Sequence, residues 1–481
     1  MHHIHIQKIA QGLLVCLLAW AGHAWGQASY SIDFEMGKDI VGRYYMTQHF
    51  RDAYIYLDSG VAYKGRVVFQ SLRQPLPRGL YTLLDGSRKP VADFVVDDAT
   101  HFSYALDSAR SHKGMRVRGS KANARMHAYL ARQDQANEEA KALRKQQQEG
   151  NNKEKQHAKE ELLALGEEMA QYEAKYFSDN TNDYFAQVVR MTRMPDPPKS
   201  LTRDEDKLYY VRQHYWDSVD FSFPNLARTA QLFNKMNYYF FGLLYYEESD
   251  TITLYANRVL ARVEDDSAML RYFLDFICPR YQKSTKHIGW DQVYVDLVKD
   301  YYVRGKCPWA TEAELYNKRQ EVDFLEQSLI GAHGTELWMA DTNQSPNPKD
   351  WISSHRFPTK YVILWFWDPD CSHCQTQTQE LKELYNTMAA TGRKRFEVYA
   401  VGYESDVAKW KKYVREHQLP WVNVGGTNVN IDYQSAYNVH GAPSMVILDE
   451  RRNIIMNKTL PVSQLMEFLD RHEARQAQNK E

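Results

Sequence analysis

Along residues 30 to 120 apolar and polar positions alternate in short runs. AYIYLDS, GRVVFQS, GLYTLL, ADFVVDD, HFSYAL and MRVRGS are rich in β-branched and aromatic residues, and Gly, Asp, Ser and Pro punctuate them. The pattern predicts an antiparallel sandwich or barrel over residues 27–120. At residue 121 the period becomes helical. KANARMHAYLARQDQANEEAKALRKQQQ places Met126, Tyr129 and Leu130 on one face, EGNNKEK interrupts it, and EELLALGEEMAQYEAKYF resumes it. A charged αα-hairpin is expected, its Gln/Glu/Lys-rich middle a solvated face. MPDPPKS, residues 194–200, reads as a loop or boundary. Residues 205–333 again carry helix-period runs, with aromatic stretches such as NYYFFGLLYYEE. These read as a helical-bundle core in preference to a ligand cleft, so residues 121–333 are expected to form a helical domain.

From residue 334 to the C-terminus the pattern alternates. YVILWFW reads as a strand and CSHCQTQTQELKELYNTMAA as a helix stopped by Gly392. FEVYAVG is a strand and SDVAKWKKYVREHQ a helix. A short helix at IDYQSAYNV precedes a hairpin of PSMVILDE and NIIMNKTL, and PVSQLMEFLDRHE closes as a helix. This order predicts an α/β domain over residues 334–481, a mixed sheet with helices on both faces.

At 481 residues the chain is too long for one ordinary core, and its 33 Tyr and 11 Trp suggest large aromatic cores. The formal net charge of −1 argues against a general nucleic-acid binder. MHHIHIQKIAQGLLVCLLAWAGHAWGQASY opens the chain. Lys8 supplies a weak positive region, GLLVCLLAWA is too short to span a bilayer, and Ala24-Trp25-Gly26 offers small residues at a cleavage site. Residues 1–26 therefore read as a signal peptide, in preference to an uncleaved anchor. Val15 disfavours a lipid anchor at Cys16. Export to the periplasm or cell envelope is expected, where disulfides persist. Removing the signal leaves Cys278, Cys307, Cys371 and Cys374.

WFWDPDCSHCQTQTQEL, residues 365–381, spaces Cys371 and Cys374 two apart between the apolar strand and the helix. A covalent haem site needs His directly after the second cysteine, and Gln375 stands there. A structural zinc site needs four ligands, commonly from two such pairs, and no second CxxC exists. A redox dithiol needs a strand, then a cysteine at the first turn of a helix, which is the context here. The free N–H groups and partial positive charge of that turn stabilise a thiolate at Cys371. His373 adds a positive charge when protonated, while Asp368 and Asp370 oppose. In such a setting the first cysteine's pKa falls to roughly 3.5–7.5 from about 8.5. Cys371 is then the nucleophile and Cys374 the resolving thiol. The Gly-Ala-Pro of VHGAPSMVILD, residues 439–449, precedes a strand, and Pro443 there is a natural cis proline.

With these motifs, Trp365–Cys374 and Gly441–Ser444, residues 334–475 resemble a thioredoxin-fold domain of the TlpA/AhpC-TSA type. LWMADTN, from residue 337, resembles the extra N-terminal hairpin of that branch. The whole layout is similar to multidomain exported thiol–disulfide oxidoreductases of anaerobic Gram-negative bacteria. The resemblance implies that Pro443 shapes a substrate groove beside Cys371, Cys374 and His373. It implies that no cofactor is needed, and that the partners are protein thiol or disulfide substrates and a membrane redox protein.

The chain also departs from that pattern. Trp365 stands where thioredoxin has a buried acid, Gln379 replaces the proline of the active-site helix, and Ser-His lies between the cysteines. Asp368 disfavours a peroxiredoxin. A rival from another class is a cell-envelope binding or scaffold protein with a structural thioredoxin fold. A narrower rival is a reductant for cytochrome c maturation. Cys278 and Cys307 read equally as a structural disulfide or as two buried free thiols. His440 reads equally as a flank of the site or as a surface loop residue.

Overall fold

The computed structural model describes residues 29–106, 112–282, 287–403, 406–458 and 460–478. The expected signal peptide, residues 1–26, lies outside them. The described residues fall into two compact units, one ending at Leu243 and the other beginning at Leu244.

The first unit begins with eight strands: β1 Tyr30–Glu35, β2 Gly42–Phe50, β3 Ala53–Ala62, β4 Arg66–Ser71, β5 Gly79–Leu84, β6 Pro90–Val96, β7 His101–Ala105 and β8 Arg116–Arg118. They form two four-stranded sheets, ordered β4-β1-β7-β8 and β3-β2-β5-β6. Every pair is antiparallel except β1 with β7. On β1 the period-2 pattern buries Tyr30, Ile32 and Phe34. Phe34 stacks on Tyr104 of β7 at 5.4 Å and meets Phe94 of the other sheet edge-on, also at 5.4 Å. One aromatic core is thus shared by the inner faces of both sheets. The expected β domain is present with two more strands, β1 and β2, than the six runs picked out by composition.

Helix α1, Lys121–Glu149, starts at Ser120, whose side chain accepts the Asn123 N–H. Asn123 is fully buried and joins the helix to the sheets. Its Oδ1 accepts from the Val95 N–H at 2.7 Å and the Tyr104 hydroxyl at 2.6 Å. Its Nδ2 donates to Val95 O at 2.7 Å and Ser120 Oγ at 2.9 Å. Asn123→Ala orphans several of these groups at once, and we expect a loss of about 2–3 kcal/mol, read from the urea midpoint of the first unit. A loss below about 0.5 kcal/mol would place it with ordinary surface substitutions. Helix α2, Asn152–Asp179, follows a two-residue gap, Gly150 and Asn151, and opens on a capping box between Asn151 and Glu154. This is the expected hairpin, resuming at Asn152 within the predicted interruption. Helices α3 Tyr184–Thr192, α4 Asp204–His214 and α5 Ala230–Tyr238 complete the unit's regular helices.

The second unit starts with α6 Ser249–Leu260, α7 Ser267–Gln282, α8 Trp290–Leu297 and α9 Glu312–Glu326. The helical middle region thus continues across the division between the units. A seven-stranded sheet follows, ordered β10-β9-β13-β12-β11-β14-β15. Its strands are β9 Trp338–Asp341, β10 Ile352–Ser353, β11 Tyr361–Trp367, β12 Phe396–Gly402, β13 Val422–Val429, β14 Ser444–Leu448 and β15 Ile454–Met456. Between them run α10 Ser372–Ala390, α11 Val407–Glu416 and α12 Tyr433–Ala436, and α13 Leu465–Gln478 ends the unit. Central β11 pairs parallel with β12 and antiparallel with β14. All seven of its residues are buried, as a strand covered on both faces requires. Alternation sorts them: Tyr361, Ile363, Trp365 and Trp367 join the core under α10 and α13, while Val362, Leu364 and Phe366 join the opposite one.

Composition missed β13. Its Gly425 lies under Trp410 of α11, as does Gly402 of β12. A Cβ on Gly402 would sit 3.0 Å from the indole and one on Gly425 3.3 Å. The glycines that weaken the strand signal admit the tryptophan between helix and sheet. The segments 329–334 also pair with the sheet edge. The Gly331 N–H donates to Ile454 O at 2.8 Å, and the Ile454 N–H donates to Ala332 O at 2.8 Å.

Candidate functional site

Strand β11 ends at Trp367, and the chain turns through Asp368, Pro369 and Asp370 into α10. The Asp370 N–H donates to Asp368 Oδ1 at 2.9 Å, and Gln375 Nε2 donates to Pro369 O at 2.7 Å. The turn delivers Cys371 to the N-cap of a 19-residue helix. Its Sγ takes the acceptor role that a serine or aspartate oxygen usually fills, receiving the Cys374 N–H at 3.2 Å. A first-turn N–H, one of those with no partner inside the helix, thus points at the sulfur.

Cys371 is half-buried, and Cys374 is fully buried. Burial, and then a hydrogen bond with Cys371, push the Cys374 thiol up to about 12. It is therefore a protonated thiol at neutral pH. Burial likewise pushes Cys278 and Cys307 up to about 12. Of the two readings of that pair, the structure holds buried free thiols. We expect iodoacetamide at neutral pH to modify Cys371 alone among the four described cysteines. Reaction at Cys374 should rise only as pH climbs toward 12. Peptide mapping by mass spectrometry checks this, and equal early labelling of Cys371 and Cys374 would contradict it.

The peptide bond between Ala442 and Pro443 is cis. It brings Ala442 O to 3.9 Å from Cys371 Sγ. Cys371, Cys374 and the Pro443 loop are therefore together. His373 projects from the first turn, exposed and with no hydrogen-bond or ion partner among the described residues. His440 is exposed and lines a cleft beside the loop. Asp370, which opposes a thiolate by charge, is paired with Lys409 at 2.7 Å. At the place of the buried acid, Trp365 donates its indole N–H to Thr378 Oγ1 at 3.0 Å, both fully buried. No carboxylate occupies that position under Cys374.

Sequence reasoning missed the cleft, of about 740 Å³, that the loop shares with the helical segment. Gln282, Glu321 and Phe324 face it from α7 and α9, with Asn457 and Lys458 beyond β15. No local pattern marks these residues, since the contacts are long-range: Asn457 meets Asp291 across 166 positions. Among the described residues no group of His, Cys, Asp and Glu could hold a metal ion, and no helix is long and apolar enough to cross a membrane.

Residues 359–454 match the thioredoxin-like family, and residues 142–328 match a domain of unknown function, DUF5106. No curated protein matches the chain. Solved structures similar to it include a thioredoxin-like protein from Bacteroides caccae, 16% identical with a TM-score of 0.46, covering 58% of this chain and 98% of its own. A domain of a possible thiol-disulfide isomerase from Cytophaga hutchinsonii is 29% identical with a TM-score of 0.27, covering 31% and 97%. A thiol:disulfide interchange protein from Bacteroides is 20% identical with a TM-score of 0.24, covering 30% and 92%. The dithiol turn, the central buried strand and the family match over residues 359–454 describe one object: the C-terminal part of this chain is a thioredoxin-like domain.

Proposed function

We propose that this protein is an exported thiol–disulfide oxidoreductase that exchanges disulfides with protein substrates through Cys371 and Cys374. The observation that carries the reading is one sulfur with two neighbours: Cys371 Sγ lies 3.2 Å from a helix-terminal N–H and 3.9 Å from the carbonyl before a cis proline. The thioredoxin-like match over the same residues supports it.

In the reducing direction the Cys371 thiolate attacks one sulfur of a substrate disulfide. A mixed disulfide forms and the substrate's other sulfur leaves as a thiolate. That thiolate takes the proton of Cys374, whose sulfur attacks Cys371 Sγ and closes the Cys371–Cys374 disulfide. The second substrate sulfur leaves and is protonated by water. Two electrons pass from the dithiol to the substrate, and the reverse sequence oxidises a substrate dithiol. In this proposal His373 supports the thiolate by charge, and Pro443 shapes the substrate groove. A membrane redox protein renews the pair, and no cofactor takes part. The preceding domains, 27–120 and 121–333, position the 334–481 domain in the cell envelope or restrict its substrates.

The test is equilibration of the pair against a glutathione series. Reversible cycling at a defined potential is expected. A value near about −270 mV marks a reductase and one between about −120 and −180 mV an oxidase or isomerase. A pair that does not cycle reversibly overturns the proposal.

A further inference from the structure

The cleft beside the cis-proline loop has a second wall, and that wall is not part of the thioredoxin-like match. We infer that α9 and the end of α7 are the specificity wall of the exchange site, and that the cleft takes an extended, cysteine-bearing segment with an apolar side chain next to its cysteine. The inference rests on the dithiol reading above.

Three observations carry it. First, the cleft reaches the residue that touches the reacting sulfur, because Ala442 both lines it and places its carbonyl 3.9 Å from Cys371 Sγ. Its volume of about 740 Å³ lies in the range of built ligand sites. Second, the wall is fixed. Asn457 Nδ2 donates to Asp291 Oδ2 and to Ser328 O, both at 2.9 Å, tying α8 and the turn just after α9 to the segment after β15. A groove with two fixed sides admits an extended strand of chain and excludes a folded surface.

Third, the Glu321 carboxylate and the Lys458 ammonium at the cleft are already engaged. The Glu321 carboxylate accepts from the Tyr294 hydroxyl and from Gln282 Nε2, and it is ion-paired with Lys318 at 3.8 Å. Lys458 Nζ lies 3.1 Å from Asp291 Oδ2. A charged substrate side chain entering here loses water without gaining a free counter-charge from Glu321 or Lys458. An apolar one meets Phe324, which is half-buried, with Leu325 and Val439 behind it.

The experiment uses the full chain and two short disulfide-linked peptides that differ only in Leu or Asp beside the cysteine. Wild-type protein is expected to exchange the Leu peptide about tenfold faster in kcat/KM, the scale of one well-placed side chain in an apolar pocket. Phe324→Ala should bring the ratio toward one, and Phe324→Leu should keep most of it. Equal wild-type rates for the two peptides, or a preference that survives Phe324→Ala, overturns the wall and leaves the dithiol reading standing. Exchange of neither peptide nor oxidised glutathione by the wild type overturns the dithiol reading, and this inference with it.

Discussion

Cys371→Ser should lower the rate of disulfide exchange by at least about 10³-fold, the scale on which losing a covalent nucleophile acts. A serine oxygen at the N-cap still accepts the Cys374 N–H, so the helix start and the fold persist. What is lost is the only half-exposed sulfur of the pair, since Cys374 is fully buried and held protonated. Cys374→Ser should behave differently. Cys371 can still attack, but nothing resolves the mixed disulfide, and covalent adducts with substrate accumulate. They are read as bands on a non-reducing gel that dithiothreitol removes. Wild-type rates in Cys371→Ser would sink the assignment of the nucleophile. A Cys374→Ser protein that captures nothing in cells would favour a scaffold.

Lys458→Ala should destabilise the second unit by about 3–5 kcal/mol, the cost of leaving a buried charge unpaired. The Asp291 side chain is 2% exposed and that of Lys458 14%. After the substitution the carboxylate keeps Asn457 as a donor at 2.9 Å but has no counter-charge. The double variant Asp291→Leu with Lys458→Met should recover most of the loss, because it removes both charges together. Urea unfolding of the single and double variants reads the difference. A single-variant loss below about 1 kcal/mol would mean that the pair behaves as an exposed one.

The sequence made the dithiol and its two flanking elements legible because each signal is local. An unbroken apolar run, a turn with Asp and Pro, and a helix-period run lie in order around Cys371 and Cys374. Pro443 was legible for the same reason: Gly441-Ala442-Pro443 precedes a run that can only be a strand. Strand β13 was not legible, because Gly425 reads as a breaker until Trp410 is placed above it. Nor was the parallel pairing of β1 with β7, which depends on strands far apart in sequence meeting in one sheet. The Trp365 to Thr378 hydrogen bond shows the intermediate case. The absence of a buried acid could be read directly, whereas the partner of the replacing indole required the helix register. The cleft wall lay beyond sequence reasoning because it joins α7 and α9 to a loop more than a hundred positions later.

The pairing of residues 331–334 with the edge of β15 bears on modularity. The family match begins at residue 359 and the pattern shift at 334, and either invites a cut there. A fragment starting at 334 loses the Gly331 donor to Ile454 O and the Ala332 acceptor of the Ile454 N–H. It also loses the bridge between His333 and Asn453. The edge of β15 is then bare, an open template for another copy of the same strand. Transplanting this domain into another chain, or trimming it for solution work, therefore calls for a junction upstream of residue 329, so that the edge travels with its own cover.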